Sequence, residues 1–599
     1  MTETKQCLQS TCISLSGLRQ MAFCLAELHL WSTKSSLQVN DTDIGTYQYY
    51  DKGEPAGPLE HHYYNEKLHF CEARGYAWNP RNHRPEKLRD SLKELEELLL
   101  TNTCVHTRWK SKHCCQLMLS SGILITLLLN GPQLEQVCVD RTLVGRLPAN
   151  TVTDAVVTDR MILLSFLEQS QLCAVYINKK NLTSSDTVQK VEKLSPSEIK
   201  LFCVELSGQG RRLHRRVAVS RQQDLAVCWW SQEESEEELW PWSPSDAHKN
   251  NLVLLNCSPT DGLKVLNSFR TEGNPIYCRF SLLQPYQLLL VELPQRSQTS
   301  SEGSSADSCV YECARGKLHR LSVTHISLPS LPTCCSSHPS ESMLLLGLKD
   351  SSLLLYDHRR GISLLASCPV PPALLTWHPS GSVVMVGGGQ NELMCFDVGL
   401  APLGLALLSE EVTSAATLPL AHHLRCSGSL EGLHWGSGLD GGSEGTMTLM
   451  LSFHSGPLGA LRLRFGSCLG PMGPEELLQQ RLNCGEVREA LNILESMDFN
   501  TAADQCFRGL SSIINHLLRL PLNIERENQL EAALGVFYAA PAPLCDTVIL
   551  EYKGPVSKYA RRFFHHLLRH QRFEKAFLLA VDLGIETCLC FLWRVQHVS

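Results

Sequence analysis

One pair of similar segments near the middle of the chain constrains its fold more than any other feature. The first, SHPSESMLLLGLKDSSLLLYDHRRG, begins at residue 337, and the second, WHPSGSVVMVGGGQNELMCFDVG, begins at residue 377. They align without a gap at an interval of 378 − 338 = 40 positions, and several residues are identical in both copies: His338, Pro339, Ser340, Ser342, Gly347 and Asp357 recur as His378, Pro379, Ser380, Ser382, Gly387 and Asp397. An interval of about 40 residues is typical of a WD-repeat blade.

Each copy of the repeat has the same order of local signals. A His-Pro-Ser turn precedes an apolar run, glycine ends that run, and a second apolar run ends on an aromatic residue followed by aspartate. Short apolar runs between turn signals are what the four-stranded blades of a propeller require. A phosphate-binding loop would instead need a helix directly after its glycines. The glycines of the second copy are therefore interpreted as scaffold.

The same pattern extends over residues 112–466, which predicts a WD-repeat β-propeller. At about 40 to 45 residues per blade, and with inserted loops, this length favours seven blades. The acidic stretch 231–246 and the serine-rich stretch 295–308 are interpreted as inserted, solvated loops. The chain has 599 residues, 43% of them hydrophobic, so a core of this size is available.

Different patterns lie on either side of the propeller region. Residues 1–111 contain MAFCLAELHLWSTK, a candidate strand for closing the propeller ring, and an amphipathic helix at 84–100. Residues 467–599 have helical periodicity, with related segments at Val487 and Phe573 separated by 573 − 487 = 86 positions, typical of two helical hairpins. The predicted fold is mainly β with α: a propeller followed by a C-terminal α-solenoid. Its apolar end indicates a shortened solenoid.

Charge and cysteine content restrict the classes of partner and compartment. Lys and Arg number 54 against 61 Asp and Glu, which gives a net charge of −7. The chain therefore lacks the overall positive charge that would indicate nucleic-acid binding. The 26 cysteines are diluted in a long chain without a signal-peptide pattern at its start, which favours a reducing cytoplasmic compartment. The longest apolar run, ILITLLL at 123–129, is far shorter than a membrane helix and is predicted to be a strand.

Residues 436–445 contain two patterns that resemble catalytic motifs. They match both GxGxxG and GxSxG, but neither match is followed by a helix, so the stretch is interpreted as a loop. The chain has no CxxC pair of the kind that zinc sites favour. We therefore expect no catalytic residues, no metal and no cofactor.

Basic residues form the candidate binding sites. One cluster precedes a predicted strand and one follows the aspartate of a blade: Arg211, Arg212, Arg215 and Arg216, and Arg359 and Arg360. The second cluster is similar to the Arg-Arg-Gly motif with which one class of propellers holds phosphoinositides, since arginine suits bidentate phosphate contact. A phosphoinositide-binding adaptor at membranes is thus the alternative function. Ordinary exposed charges are the competing interpretation of both clusters.

A third candidate surface lies in the helical region. Its basic residues recur at helical spacing, which is typical of a helix that faces a partner: Arg561, Arg562, His566, Arg569 and His570. The alternative is a packed face between helices, with Phe563, Phe564, Leu567 and Phe573 buried.

Several longer segments of the sequence closely resemble the Fritz family of WD-repeat planar cell polarity effectors. The resemblance runs from about residue 21 to about residue 586 and is carried by ELHLWSTK (27–34), DIGTYQYYDK (43–52), RPEKLRDSLKELEELL (84–99), QPYQLLLVE (284–292), DSCVYECARGK (307–317) and SKYARRFFHHLLRHQRFEKAFLLAVD (557–582). After Gly584 the chain departs from the family pattern. This departure puts in doubt any partner contact that later helices of the family make.

The resemblance implies a non-enzymatic scaffold. It implies work with Inturned and Fuzzy homologues in the ciliogenesis and planar polarity effector complex, and recruitment of intraflagellar transport A subunits to the basal body. It further implies a role in organising septins during ciliogenesis and collective cell movement. The corresponding locations are the cytoplasm, the basal body and axoneme of the cilium, the cytoskeleton and the cell membrane periphery.

Overall fold

A computed structural model describes most of the propeller and helical regions. It covers residues 22–32, 46–48, 88–178, 193–206, 213–231, 250–294, 304–407, 415–422, 428–436, 448–465 and 473–582. The chain divides into two compact units. The sheet unit comprises Leu25–Phe396 and Leu405–Arg464, and the helical unit comprises Met1–Cys24, Asp397–Gly404 and Phe465–Ser599. The glycine patterns at 436–445 lie, after Gly436, outside the described residues.

Two strands and one helix precede the first blade. They are β1 (Phe23–Trp31), β2 (Thr46–Gln48) and α1 (Leu88–Thr101). The predicted helix is thus present, and the leucines at its i, i+4, i+7 and i+11 positions are buried: Leu88, Leu92, Leu95 and Leu99. Its apolar stripe packs against β-sheet residues, as a short amphipathic helix requires for stability.

Five separate four-stranded antiparallel sheets follow in chain order. The first is β3 (Cys104–Ser111), β4 (Cys114–Leu119), β5 (Leu124–Asn130) and β6 (Gln133–Asp140). The second is β7 (Val152–Val157), β8 (Met161–Phe166), β9 (Gln171–Ile177) and β10 (Ile199–Glu205). The third is β11 (Arg216–Val219), β12 (Leu225–Trp229), β13 (Leu252–Ser258) and β14 (Gly262–Phe269). The fourth is β15 (Gly273–Phe280), β16 (Gln287–Pro294), β17 (Ser304–Ala314) and β18 (Lys317–Leu328), and the fifth is β19 (Pro332–Ser337), β20 (Met343–Leu348), β21 (Ser352–Asp357) and β22 (Ile362–Ser367).

The remaining strands form one ten-stranded sheet that contains two further four-stranded arrays. Its strands are β23 (Pro372–Trp377), β24 (Val383–Gly388), β25 (Glu392–Asp397), β26 (Pro402–Leu407), β27 (Thr417–Pro419), β28 (Leu430–Trp435), β29 (Thr448–Phe453) and β30 (Leu458–Phe465), with β1 and β2. The main path runs β23-β24-β25-β26-β1-β30-β29-β28. One array consists of β23, β24, β25 and β26. The other consists of β28, β29, β30 and β1, with β1 beside β30. Strand β1 thus lies between β26 and β30, the position that a ring-closing strand would take.

The blades stack face to face around their innermost strands. The strand that opens each sheet contacts its counterpart in the neighbouring sheet at most positions of the ring, and β28 returns to β3. Hydrophobic clusters join successive sheets, and one of them joins β29 and β30 to the first sheet. Strands β8, β20, β24 and β29 are buried at every position, because stacking covers both of their faces. The run ILITLLL falls on β5, as predicted, and the first blade begins at Cys104, ahead of the expected boundary at 112.

The His-Pro-Ser turn of the repeat has the same structure in both copies. The Nδ1 atoms of His338 and His378 lie 2.7 Å from the hydroxyls of Ser340 and Ser380. Each imidazole packs edge to face on the tryptophan that ends the first strand of the next array, His338 on Trp377 at 4.8 Å and His378 on Trp435 at 4.7 Å. The repeated histidine therefore links its own blade to the following one.

His338 makes a second contact that determines its tautomer. Its Nε2 lies 2.9 Å from the carbonyl oxygen of Gly381, which can only accept a hydrogen bond. Nε2 therefore carries the proton, and Nδ1 accepts from the Ser340 amide at 3.1 Å. Gly381 is held at φ +73°, where a Cβ atom would come within 2.3 Å of His338 Nε2.

We expect Gly381→Ala to lower the free energy of unfolding by about 2 to 3 kcal/mol, because the methyl group displaces the His338 ring and its buried hydrogen bond. Gly361→Ala is the matched control. Gly361 has a similar φ of +66°, but the nearest atom to its Cβ is Tyr356 Oη at 3.9 Å, so only the backbone penalty of about 1 kcal/mol applies. Urea denaturation of both variants measures the difference, and equal losses would contradict the contact.

Six helices form the described part of the helical region. They are α2 (Pro474–Asn483), α3 (Val487–Ser496), α4 (Phe499–Leu517), α5 (Ile524–Tyr538), α6 (Asp546–Arg569) and α7 (Phe573–Asp582). Successive helices pack in pairs, and each pair contacts the next, as in a solenoid. Among the helices in this part of the chain, none has both the length and the apolarity needed to cross a membrane.

The two related helical segments, at Val487 and at Phe573, both bury their alanines. Ala490 of α3 and Ala576 and Ala580 of α7 are all buried. Phe577, which the alignment places opposite Leu491, is 52% exposed, whereas Leu491 is buried. A buried carboxylate instead anchors α7: Glu527 of α5 accepts from Arg572 at 2.8 Å and contacts Lys575 at 3.2 Å.

Candidate functional site

The strands that open neighbouring sheets enclose a cavity of about 460 Å³ in the sheet unit. Its walls come from the third, fourth and fifth sheets and from β23: His214, Arg216, Trp229, Ser231, Asn274, Pro275, Ile276, Tyr277, Pro332, Thr333, Cys334, Cys335, Ala373, Leu374 and Leu375. Pockets of this size are typical of sites that bind small ligands. We call this space the channel cavity.

The first basic cluster meets the channel cavity at one residue. Side chains alternate between the two faces of a strand, so neighbours in sequence have different surroundings. Arg215 is only 1% exposed, whereas Arg216 is exposed and lines the cavity. Arg211 and Arg212 lie outside the described residues. The structure thus separates residues that the sequence grouped together.

Arg216 is positioned by an aromatic ring on the neighbouring strand. Arg216 of β11 stands directly opposite Trp229 of β12, and its guanidinium carbon lies 5.2 Å from the centre of the indole. This distance fits a cation–π contact. The side chain is therefore held against one wall of the cavity, although the fork of N–H donors remains available for a ligand.

Arg215 has surroundings typical of a structural residue. Its Nη2 donates to Ser170 Oγ at 2.8 Å, and its carbonyl oxygen accepts from Ser165 Oγ at 2.6 Å. Its guanidinium carbon lies 5.5 Å from the ring centre of Trp230. Burial lowers the pKa of the Arg215 guanidinium. Arg215 therefore joins the second and third sheets and is too deeply buried to meet a lipid headgroup.

Asp154 lies beside the two arginines. It borders a second cavity with Thr153, His214, Arg215 and Arg216. Its carboxylate accepts from the Val217 amide at 2.8 Å and from the Ala155 amide at 2.9 Å. Burial raises the pKa of Asp154 to about 6 despite these hydrogen bonds. Both carboxylate oxygens are thus already engaged by the backbone.

The Arg-Arg-Gly cluster is oriented toward its own blade. The Nε atoms of Arg359 and Arg360 each lie 3.8 Å from the Asp357 carboxylate, and their side chains are 25% and 24% exposed. The Asp357 carboxylate also accepts from the Arg359 amide at 2.8 Å. A phosphate group that binds these arginines would compete with Asp357, the aspartate that recurs as Asp397 in the second copy of the repeat.

Helix α6 has both a packed apolar face and a basic face, the two alternatives that the sequence left open. Phe563, Phe564 and Leu567 are buried, so one face packs inside the helical unit, while Phe573 is 41% exposed on α7. The opposite side of α6 is basic: Arg561, Arg562, Arg569 and His570 are exposed, and His566 is half-buried. The packed face and the basic face therefore coexist on one helix.

Three members of this basic face have defined contacts. Arg562 donates to Asn515 Oδ1 at 2.7 Å and lies over the Tyr559 ring at 5.5 Å. The His566 and His570 rings meet edge to face at 4.8 Å. Partial burial, followed by the nearby His570 and Arg569, lowers the pKa of His566. Arg561 and Arg569 are both exposed and lie eight positions apart, and we call them the exposed basic pair of α6.

The pairing of Arg216 with Trp229 escaped the sequence-based prediction. Its signal is the dipeptide Arg215-Arg216 followed by Trp229-Trp230, with a turn at residues 220–224 between two apolar runs. A hairpin places such pairs opposite each other. Within the residues that the structure describes, no group of three His, Cys, Asp or Glu side chains is arranged to hold a metal ion.

Known proteins match this chain over both the sheets and the helices. The family described as WD repeat-containing and planar cell polarity effector protein Fritz matches residues 67–592. The WD repeat-containing and planar cell polarity effector protein fritz homolog of Mus musculus is 46% identical over 574 residues, which cover 94% of this chain and 78% of the relative. The protein of the same name in Homo sapiens is 46% identical over 577 residues, covering 95% and 76%. The fritz protein of Drosophila melanogaster is 25% identical over 585 residues, covering 94% and 60%.

Proposed function

Because this chain belongs to the Fritz family of WD repeat-containing planar cell polarity effector proteins, we propose that it is a non-enzymatic scaffold that acts in planar cell polarity and ciliogenesis. Its partners are Inturned and Fuzzy homologues, with which it recruits intraflagellar transport A subunits to the basal body. Through the same assembly it influences septin organisation in collective cell movement. The family match over residues 67–592 is the observation that carries this proposal.

The presence of a sheet unit and a helical unit supports a scaffold. A propeller offers loops and strand edges for protein contact, and a helical solenoid offers extended faces. The exposed basic pair Arg561 and Arg569 on α6 is one such face, suited to an acidic partner surface. On this proposal the protein is found in the cytoplasm, at the basal body and axoneme, with the cytoskeleton and at the cell membrane periphery.

A phosphoinositide-binding propeller is the alternative function, and no observation favours it over the scaffold. Arg359 and Arg360 would have to leave Asp357, and Arg215 is buried. Membrane association through the Arg-Arg-Gly cluster therefore remains secondary to protein assembly in this proposal.

Assembly is tested by gel filtration of the full chain with a purified Inturned and Fuzzy pair, for which we expect co-elution. Arg561→Glu/Arg569→Glu is expected to weaken the complex at least about tenfold, because it reverses two exposed charges on the basic face. Lys553→Glu, a single charge reversal nearer the start of α6, is the control and should leave assembly unchanged. Failure of the unaltered chain to co-elute would contradict the scaffold function, and normal assembly of the double variant would remove α6 from it.

A further inference from the structure

We propose that the channel cavity binds an acidic peptide segment of a partner protein, with Arg216 pairing to a glutamate or aspartate carboxylate. The inference deepens the proposed scaffold function, on which it rests, by locating a peptide site in the propeller. It starts from the cavity of about 460 Å³ that Arg216 lines. The volume lies within the range of ligand-binding pockets, about 300 to 1,000 Å³, and can take a few side chains of a peptide.

The guanidinium of Arg216 is ready for a ligand. Stacking over Trp229 at 5.2 Å limits its rotamers, so less conformational entropy is lost when an anion binds. Among the described residues, Arg216 makes no ion pair or side-chain hydrogen bond. Asp154, whose carboxylate interacts electrostatically with Arg216, accepts its hydrogen bonds from the backbone amides of Val217 and Ala155.

The walls of the channel cavity suit a peptide. Apolar side chains from neighbouring sheets, including Pro275, Ile276 and Leu374, stand beside polar groups such as Asn274 and Ser231. A mixed lining of this kind buries apolar side chains of a ligand while a few polar groups orient it. A peptide with a carboxylate beside apolar residues matches both parts of the wall.

The charge around the cavity favours a carboxylate over a phosphate group. The lining contains one arginine, and the planar guanidinium fork matches the two oxygens of a carboxylate. Asp154 faces the same arginine from the adjoining cavity and repels a doubly charged phosphate more strongly than a singly charged carboxylate. The ligand class is therefore an acidic, partly apolar peptide.

The test is a selection from a random peptide display library on the immobilised full chain, followed by fluorescence polarisation with the selected peptides. We expect enrichment of peptides in which Asp or Glu adjoins apolar residues. Arg216→Ala should weaken them about 10- to 100-fold, the effect of losing a charge-assisted pair. Arg216→Lys should give an intermediate loss, because lysine keeps the charge but not the fork.

Arg221→Ala is the matched control, since Arg221 is exposed on the turn between β11 and β12 and lies outside the channel cavity. Replacement of the acidic residue of the peptide by its amide should match the loss caused by Arg216→Ala. Circular dichroism verifies that each variant folds. The proposal is overturned if no selected peptide depends on Arg216, or if inorganic phosphate or a short-chain phosphoinositide displaces the peptides at lower concentration than a free acidic peptide does. Because the selection uses this chain alone, its failure is distinct from failure of complex assembly.

Discussion

Replacing Asp397 by alanine is expected to lower the free energy of unfolding of the helical unit by about 3 to 5 kcal/mol, the cost of breaking a buried ion pair by removing one partner. Asp397 is fully buried, and its carboxylate lies 2.7 Å from Nη2 of Arg481, which is 1% exposed. The same carboxylate accepts from the amides of Gly399 and Ala401 at 2.9 and 2.8 Å.

Arg481 is bound on several sides. Its Nη1 contacts Glu486 at 2.8 Å, and its Nη2 also donates to the carbonyl oxygens of Ala401 and Pro402 at 3.1 Å. Burial opposes the charge of Arg481, but Asp397 and Glu486 outweigh that effect and raise its pKa. Removing Asp397 leaves a guanidinium that stays charged and loses its fully buried partner.

The repeat supplies the control for this prediction. Asp357 is the equivalent of Asp397 one repeat earlier, but its two arginines lie 3.8 Å away and are about a quarter exposed. Asp357→Ala should therefore cost only about 1 kcal/mol. Urea denaturation followed by circular dichroism compares the two variants. Equal losses of unfolding free energy in Asp397→Ala and Asp357→Ala would show that burial does not strengthen the Asp397–Arg481 ion pair.

Acidification is expected to destabilise the sheet unit strongly between about pH 6.5 and about pH 4. Four partly or fully buried histidines cause this effect: burial lowers the pKa of His106, His338, His378 and His434 to about 4. For His106, the neighbouring His434 and Arg108 add to the shift. The imidazoles thus stay neutral in the folded protein.

The sign of the dependence follows from proton binding. Above about pH 6.5 these histidines are neutral in both states and contribute no slope. Below it the unfolded chain binds protons that the folded chain refuses until about pH 4, so each histidine removes up to about 3 kcal/mol. Asp154, whose pKa burial raises to about 6, acts in the opposite direction, because its folded form takes up a proton first. Burial also raises the pKa of Glu292, which acts in the same direction as Asp154, but the four histidines outweigh these two carboxyl groups and leave a net loss.

Urea titrations at a series of pH values, read by tryptophan fluorescence, measure this loss. Trp377 and Trp435 stack on two of the histidines and report on them directly. His338→Asn/His378→Asn should reduce the slope by about half, whereas His319→Asn, at an exposed position of β18, should not change it. An unchanged slope in the double variant would mean that these histidines are not held neutral.

The propeller fold was predictable because the signals of its blades are local. His338 and His378 each begin a turn whose hydrogen bonds stay within a few residues, so their recurrence predicts the blade. Helix α1 was recognisable by the spacing of its leucines, whereas β1 was only a candidate strand in the sequence. For the candidate site, the sequence identified Arg215 and Arg216 as a cluster. It could not separate them, because their burial depends on how the second and third sheets stack.

Local chemistry therefore determined the repeat, its turns, the alternation of strands and the change to helices at the end of the propeller. The tertiary structure alone decided which arginine lines the channel cavity and which aspartate of the repeat is buried. Asp397 and Arg481 are 84 positions apart, and no sequence pattern pairs them. Asp357 and Asp397 share one sequence environment, but only Asp397 is desolvated beside a helix, and burial rather than residue type sets the strength of its ion pair.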